Sequence, residues 1–68
     1  MENLTAGGFN KLLTSSKRNR NAGLRYIKKA LAVKDESEKE RLTNIAGLHF
    51  EEARRIDTIL TEYAKTHS

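Results

Sequence analysis

The sequence predicts an all-α fold, an antiparallel hairpin of two helices that dimerises into a four-helix bundle. Three observations predict it. No proline occurs among the 68 residues, so the strongest helix breaker is missing. Apolar side chains recur with helical periodicity in both halves of the chain. A short polar segment with a helix-start signal separates the two halves. We therefore expect residues 1–68 to form one helical-hairpin domain.

The first helix is predicted over residues 9–33. At about 100° per residue, Phe9 and Ile27 fall on one line along the helix. The other apolar residues within about 60° of that line are Leu12, Leu13, Leu24, Ala30 and Leu31. Residues 15–23 are rich in Ser, Asn and Gly, which favour caps and turns, so a three-helix bundle broken there is the alternative. We favour a continuous helix because a loop would usually shift the phase of the apolar stripe.

The turn is predicted at residues 34–37 and the second helix at residues 38–64. Ser37 and Glu40 match a capping box, in which each side chain accepts a hydrogen bond from the backbone N–H of the other residue. The apolar stripe of the second helix is centred on Ile56. Its other main members are Leu42, Ile45, His49, Ala53, Ile59, Leu60 and Tyr63.

Two helices joined by a short turn pack antiparallel, and here facing residues should have numbers that sum to about 72. This register places Phe9 near Tyr63 and Leu31 near Leu42. It also places Arg20 opposite Glu52, for which we predict an ion pair in the seam; the alternative is that both side chains extend to water. A lone hairpin leaves several apolar side chains uncovered, which favours a homodimer. These are Tyr26, Val33, Leu48 and Phe50.

Charge is distributed unevenly along the chain, and this asymmetry indicates an anionic partner. Residues 1–34 carry a net charge of +7, whereas residues 35–68 carry −3. On the first helix, one outward face collects basic side chains at a spacing that suits a phosphate backbone. The predicted nucleic-acid contacts, to DNA or RNA, are Lys11, Lys17, Arg18, Arg25, Lys28 and Lys29. The alternative is a solvated basic face that only offsets the acidic second helix.

A second functional hypothesis is a protein-binding adaptor or inhibitor, for example one encoded by a phage or plasmid and directed at a host protein. Its predicted docking patch comprises Leu48, Phe50 and Asp57 on the second helix. Either hypothesis describes a regulatory protein that works by binding.

Catalysis, cofactors and metals are not expected. Cysteine is absent, and no nucleophile is paired with a base and an orienting acid. His49 and Glu52 share a helical face, but a second histidine at metal-ligand spacing is missing. No apolar run approaches the ~20 residues that a membrane helix requires, so no membrane partner is expected. The lack of cysteine fits a reducing compartment, and the expected location is cytoplasmic.

Overall fold

The computed structural model describes residues 6–67 and contains two α-helices, α1 (Ala6–Ala32) and α2 (Glu36–His67). The helices pack side by side into an antiparallel rod with extents of 48 × 16 × 16 Å. No strand occurs within the described range. The all-α helical hairpin is thus confirmed, whereas dimerisation into a four-helix bundle stays a prediction. Neither helix, over the residues described, is both long enough and apolar enough to cross a bilayer.

Helix α1 runs without interruption through residues 15–23, so the described chain forms no third helix. The polar residues of this segment are accommodated within the helical structure. The Asn19 amide donates a hydrogen bond to the Ser15 carbonyl oxygen at 2.9 Å, and Ser16 and Gly23 are buried against α2. Both helices extend three residues beyond the predicted bounds at their outer ends. Packing against a partner helix has therefore overridden the weak helix propensity of Ser, Asn and Gly.

Helix α2 is capped by Asp35, and not by Ser37 as the sequence analysis predicted. The Asp35 carboxylate accepts a hydrogen bond from the Glu38 N–H at 3.0 Å. The Asp35 carbonyl oxygen accepts another from the Lys39 N–H at 2.9 Å. Aspartate is as good an N-cap as serine, and with Asp35 as the cap α2 starts at Glu36, two residues earlier than predicted. The predicted capping box of Ser37 and Glu40 is therefore wrong.

Glu38, in the first turn of α2, pairs along the helix surface with Arg41. The Arg41 guanidinium donates two hydrogen bonds to the Glu38 carboxylate, at 2.6 and 3.0 Å. These bonds, helped by the nearby positive charge, lower the pKa of Glu38 and raise that of Arg41. This first turn thus keeps its negative charge at the end of the helix where the dipole favours it.

The seam between the helices is built from small side chains at its centre. On α1, the buried positions Ser16, Gly23 and Ala30 recur every seven residues. The buried apolar residues of α2 are Leu42, Ala46, Ala53, Ile56 and Leu60. A repeat of seven residues is the pattern of helices that pack at a shallow angle along a common seam. The small residues let the backbones approach closely, since interaxial distance depends on the side chains at the contact.

The predicted register is confirmed at the open end of the hairpin, where the rings of Phe9 and Tyr63 lie 5.4 Å apart. The predicted stripe of α1 is wrong on one flank, because Leu24 and Leu31 are 59% and 77% exposed. The buried face is rotated away from these leucines, toward the side of Asn19 and Tyr26. Leu31 therefore does not occupy the seam beside buried Leu42 as predicted.

Candidate nucleic-acid interface

A continuous basic surface covers the side of α1 that faces away from α2. We call Lys11, Arg18, Arg25 and Lys29 the basic ridge; Lys17 and Lys28 lie beside it. All six side chains are exposed. Between Ala6 and Ala32, α1 contains no aspartate or glutamate. The basic ridge therefore has no negative charge on its own helix to neutralise it.

Helical geometry sets the spacing of the basic ridge. Lys11, Arg18 and Arg25 recur every seven residues, which is about 10.5 Å at 1.5 Å per residue. The buried positions of α1 recur at the same interval on the opposite side of the helix. The ridge therefore points away from α2 because the residues on the opposite side of α1, Ser16, Gly23 and Ala30, are buried in the seam.

The cations of this surface are free of carboxylate partners within the described residues. The ion pairs formed there are Arg20–Asp57, Arg41–Glu38 and Arg55–Glu52, and none involves the ridge or its two flanking lysines. Lys29 has one electrostatic contact, since its ammonium lies over the Tyr26 ring at 5.1 Å from the centroid. The alternative was that the ridge only offsets the negative charge of the second helix. Among the described residues, none of these ion pairs joins a ridge cation to a carboxylate of α2.

The N-terminal part of the ridge borders a shallow depression on the surface of α1. Lys11 and Arg18 lie on either side of it, and polar side chains line the rest. Those polar residues are Asn10, Thr14 and Ser15. Two cations with hydroxyl and amide donors between them match the groups that contact phosphate and sugar oxygens in nucleic-acid complexes.

The middle of the seam holds a polar cluster centred on Asp57. Ser16, which is fully buried, donates its hydroxyl hydrogen to Asp57 Oδ1 at 2.5 Å. Arg20 donates to Asp57 Oδ2 at 2.9 Å. The predicted Arg20–Glu52 ion pair is therefore wrong. Arg20 pairs with Asp57 instead, and Glu52 pairs with Arg55 one turn along α2. Glu52 lies on the other flank of α2, beyond the side that Arg20 faces.

His49 belongs to a second polar contact across the seam. Its Nδ1 lies 3.1 Å from Asn19 Oδ1, and its ring stacks on Tyr26 with centroids 5.7 Å apart. Its hydrogen bond and ring contact give this histidine a structural role. Across the described residues, no three His, Asp or Glu side chains are arranged to hold a metal ion.

The predicted protein-docking patch of Leu48, Phe50 and Asp57 does not form one surface. Leu48 is 67% exposed, but Asp57 is engaged in the seam by hydrogen bonds. The Phe50 ring packs over the backbone of Gly23, where a Cβ would lie 2.8 Å from its carbons. Residues two apart on a helix point to opposite sides, so Leu48 and Phe50 cannot contact one partner face together.

The sequence predicts the basic ridge and, through its register, sets Ser16 opposite Ile56, next to its observed partner Asp57. It does not predict the position of Gly23 at the centre of the seam, because glycine was treated there only as a weak helix former. The seven-residue repeat of Phe9, Ser16, Gly23 and Ala30 was the available signal. It was hidden because two of its four members are not apolar.

No protein-family model, curated protein or solved structure matches the chain significantly.

Proposed function

We propose that this protein is a small, non-enzymatic regulatory protein that binds the phosphates of DNA or RNA through the basic ridge and its flanking lysines. The observation that carries the proposal is the set of six exposed cations on α1 without a carboxylate partner in the described chain. The absence of cysteine is consistent with action in the cytoplasm.

The chemistry of the ridge favours contacts to the phosphate backbone over contacts to bases. From Lys11 to Lys29 the ridge spans about 27 Å of helix, and duplex DNA carries one charge per about 1.7 Å of axis. Phosphates therefore outnumber the cations along the ridge, and each cation can find one. Tyr26, the aromatic ring nearest the ridge, is occupied by His49 and Lys29. Without a free ring, the surface lacks the stacking platform of single-strand binders.

We further propose that the binding unit is a homodimer, in which two hairpins form a four-helix bundle. The support is the number of large apolar side chains that one hairpin leaves exposed, among them Leu48 and Ile59. A dimer presents two ridges and doubles the number of phosphate contacts.

The salt dependence of binding tests the proposal. Anisotropy of a labelled DNA duplex and of a structured RNA is titrated at several salt concentrations. Four phosphate contacts per chain predict a log–log slope of about −3 to −4 on duplex DNA, and about twice that for a dimer. No binding at low salt would refute the proposal and favour the protein-directed adaptor or inhibitor instead.

A matched pair of variants tests whether binding depends on the position of the cations or only on their number. Arg18→Gln with Arg25→Gln removes two ridge cations, and Lys39→Gln with Arg54→Gln removes two cations from α2. The ridge variant should reduce the magnitude of the slope by about 1.8 per chain, because two phosphate contacts are lost. The α2 variant should keep the wild-type slope. Equal effects from the two variants would show that binding does not depend on the ridge.

A further inference from the structure

Helix α2 has a second stripe that α1 leaves largely uncovered, since four of its six members are exposed and two are half-buried. Its members alternate at intervals of three and four residues on the outer flank of the helix: Ile45, Leu48, Glu52, Arg55, Ile59 and Glu62. Leu48 is 67% exposed and Ile59 is 41% exposed. An average spacing of 3.5 residues is the repeat by which one helix packs along another over several turns. The stripe thus has the period of a helix–helix contact without a helix on it.

The central part of this stripe, from Leu48 to Ile59, is self-complementary. If two α2 helices pack antiparallel about a twofold axis between Ala53 and Arg54, Leu48 of each chain faces Ile59 of the other. The same axis places Glu52 opposite Arg55, so that two apolar layers flank two pairs of opposite charge. In a twofold interface every contact occurs twice. Residues 40–67 would overlap, which is about 42 Å of paired helix.

We propose that a second copy of this chain docks on this outer stripe, α2 against α2, in this register. The inference rests on the homodimer included in the proposed function, and specifies its interface. In a single chain the Arg55 guanidinium already donates to both Glu52 carboxylate oxygens, at 2.7 and 2.9 Å. Its five N–H donors allow Arg55 to bind a second carboxylate, from the partner chain. The four charges then form a closed network at the centre of the dimer.

Charge selects α2 for this contact over the exposed flank of α1, where Leu24 and Leu31 lie. Helix α1 carries seven lysines and arginines and no acid between Ala6 and Ala32. Packing two such helices together would bring like charges within the ~8 Å screening length at physiological salt. Helix α2 has five cations and seven anions, so its copies do not repel strongly. Pairing through α2 also leaves the basic ridge open in both chains.

Charge exchange tests the interface and its register. Glu52→Arg and Arg55→Glu are made separately, and self-association is measured by sedimentation equilibrium without nucleic acid. Each variant alone places like charges opposite each other twice, so its dissociation constant should rise at least about tenfold. An equimolar mixture restores opposite charges in a heterodimer, whose dissociation constant should lie within about threefold of wild type. Mixing cannot repair the lost pair within each chain, so recovery reports only on contacts between chains.

Apolar variants provide a matched control. Leu48→Asp should abolish the dimer, whereas Leu31→Asp, at a leucine on α1 that is even more exposed, should keep the wild-type dissociation constant. Far-UV circular dichroism verifies that both remain helical. A monomeric wild type, single charge variants that dimerise like wild type, or a mixture that stays monomeric would each overturn the proposed interface.

The interface and the phosphate-binding function fail independently. Phosphate binding by a monomer, with a slope of about −3 to −4, would refute the interface and the homodimer but keep phosphate binding by the basic ridge. A stable dimer without affinity for DNA or RNA would do the reverse.

Discussion

Two glycines on facing helices provide a matched test of how closely α1 and α2 approach. At Gly23 a Cβ would lie 2.8 Å from two carbons of the Phe50 ring, whereas at Gly47 it would meet nothing within 4 Å. Neither glycine has a positive φ, so alanine fits both backbones. The substitutions Gly23→Ala and Gly47→Ala therefore differ mainly in the space around the added methyl group.

The expected magnitudes follow from two opposing effects. Alanine is favoured over glycine inside a helix by about 0.8–1 kcal/mol, and this gain applies at both sites. At Gly23 the methyl group must displace Phe50, and overpacking of this kind costs about 1–3 kcal/mol. Gly47→Ala should thus raise the free energy of unfolding by about 0.8 kcal/mol. Gly23→Ala should lower it by about 1 kcal/mol.

Urea denaturation followed by far-UV circular dichroism, at one fixed protein concentration, measures both changes. A double-mutant cycle identifies the cause: with Phe50→Ala present, Gly23→Ala should become stabilising by about 0.8 kcal/mol. If Gly23→Ala stabilises the parent protein as much as Gly47→Ala does, Phe50 does not pack on Gly23 as described.

Two further predictions concern the polar cluster and the helix cap. Asp57→Ala should lower the free energy of unfolding by about 2 kcal/mol, because it leaves the buried Ser16 hydroxyl without its acceptor. Arg20→Ala should cost less than about 1 kcal/mol, because that ion pair is nearly half exposed; equal costs in urea denaturation would contradict this ranking. Asp35→Ala should cost about 1 kcal/mol and Ser37→Ala close to nothing in thermal unfolding, and the reverse order would restore Ser37 as the cap.

The helix count, the antiparallel register and the outward direction of the basic ridge could all be predicted from periodicity. These features depend on many residues together, so one misplaced side chain does not change them. The pairing of Phe9 with Tyr63 followed from register alone. The exposed positions of Leu24 and Leu31 could not be predicted, because the buried face was centred on large apolar residues and small residues such as Gly23 had no weight in placing it.

The partners of individual polar side chains could also not be predicted from the sequence. Helix α2 contains several acidic residues near the position that the register sets opposite Arg20, and a register estimate with an error of a few residues cannot choose among them. The structure selects Asp57 because burial of the Ser16 hydroxyl requires an acceptor there. The choice of Asp35 over Ser37 as the cap has a similar origin, since both residue types are good caps two positions apart.

The link between the helices, residues 33–35, has a consequence for the order in which the protein folds. No described residue, glycine included, has a positive φ, so the chain reverses without a costly backbone conformation. Contacts beside this link close small loops, whereas Phe9 and Tyr63 are 54 positions apart. Loop-closure entropy increases with length, so we expect nucleation at the link and zippering outward. The two aromatic rings would then join last on folding and separate first under force applied to the chain ends.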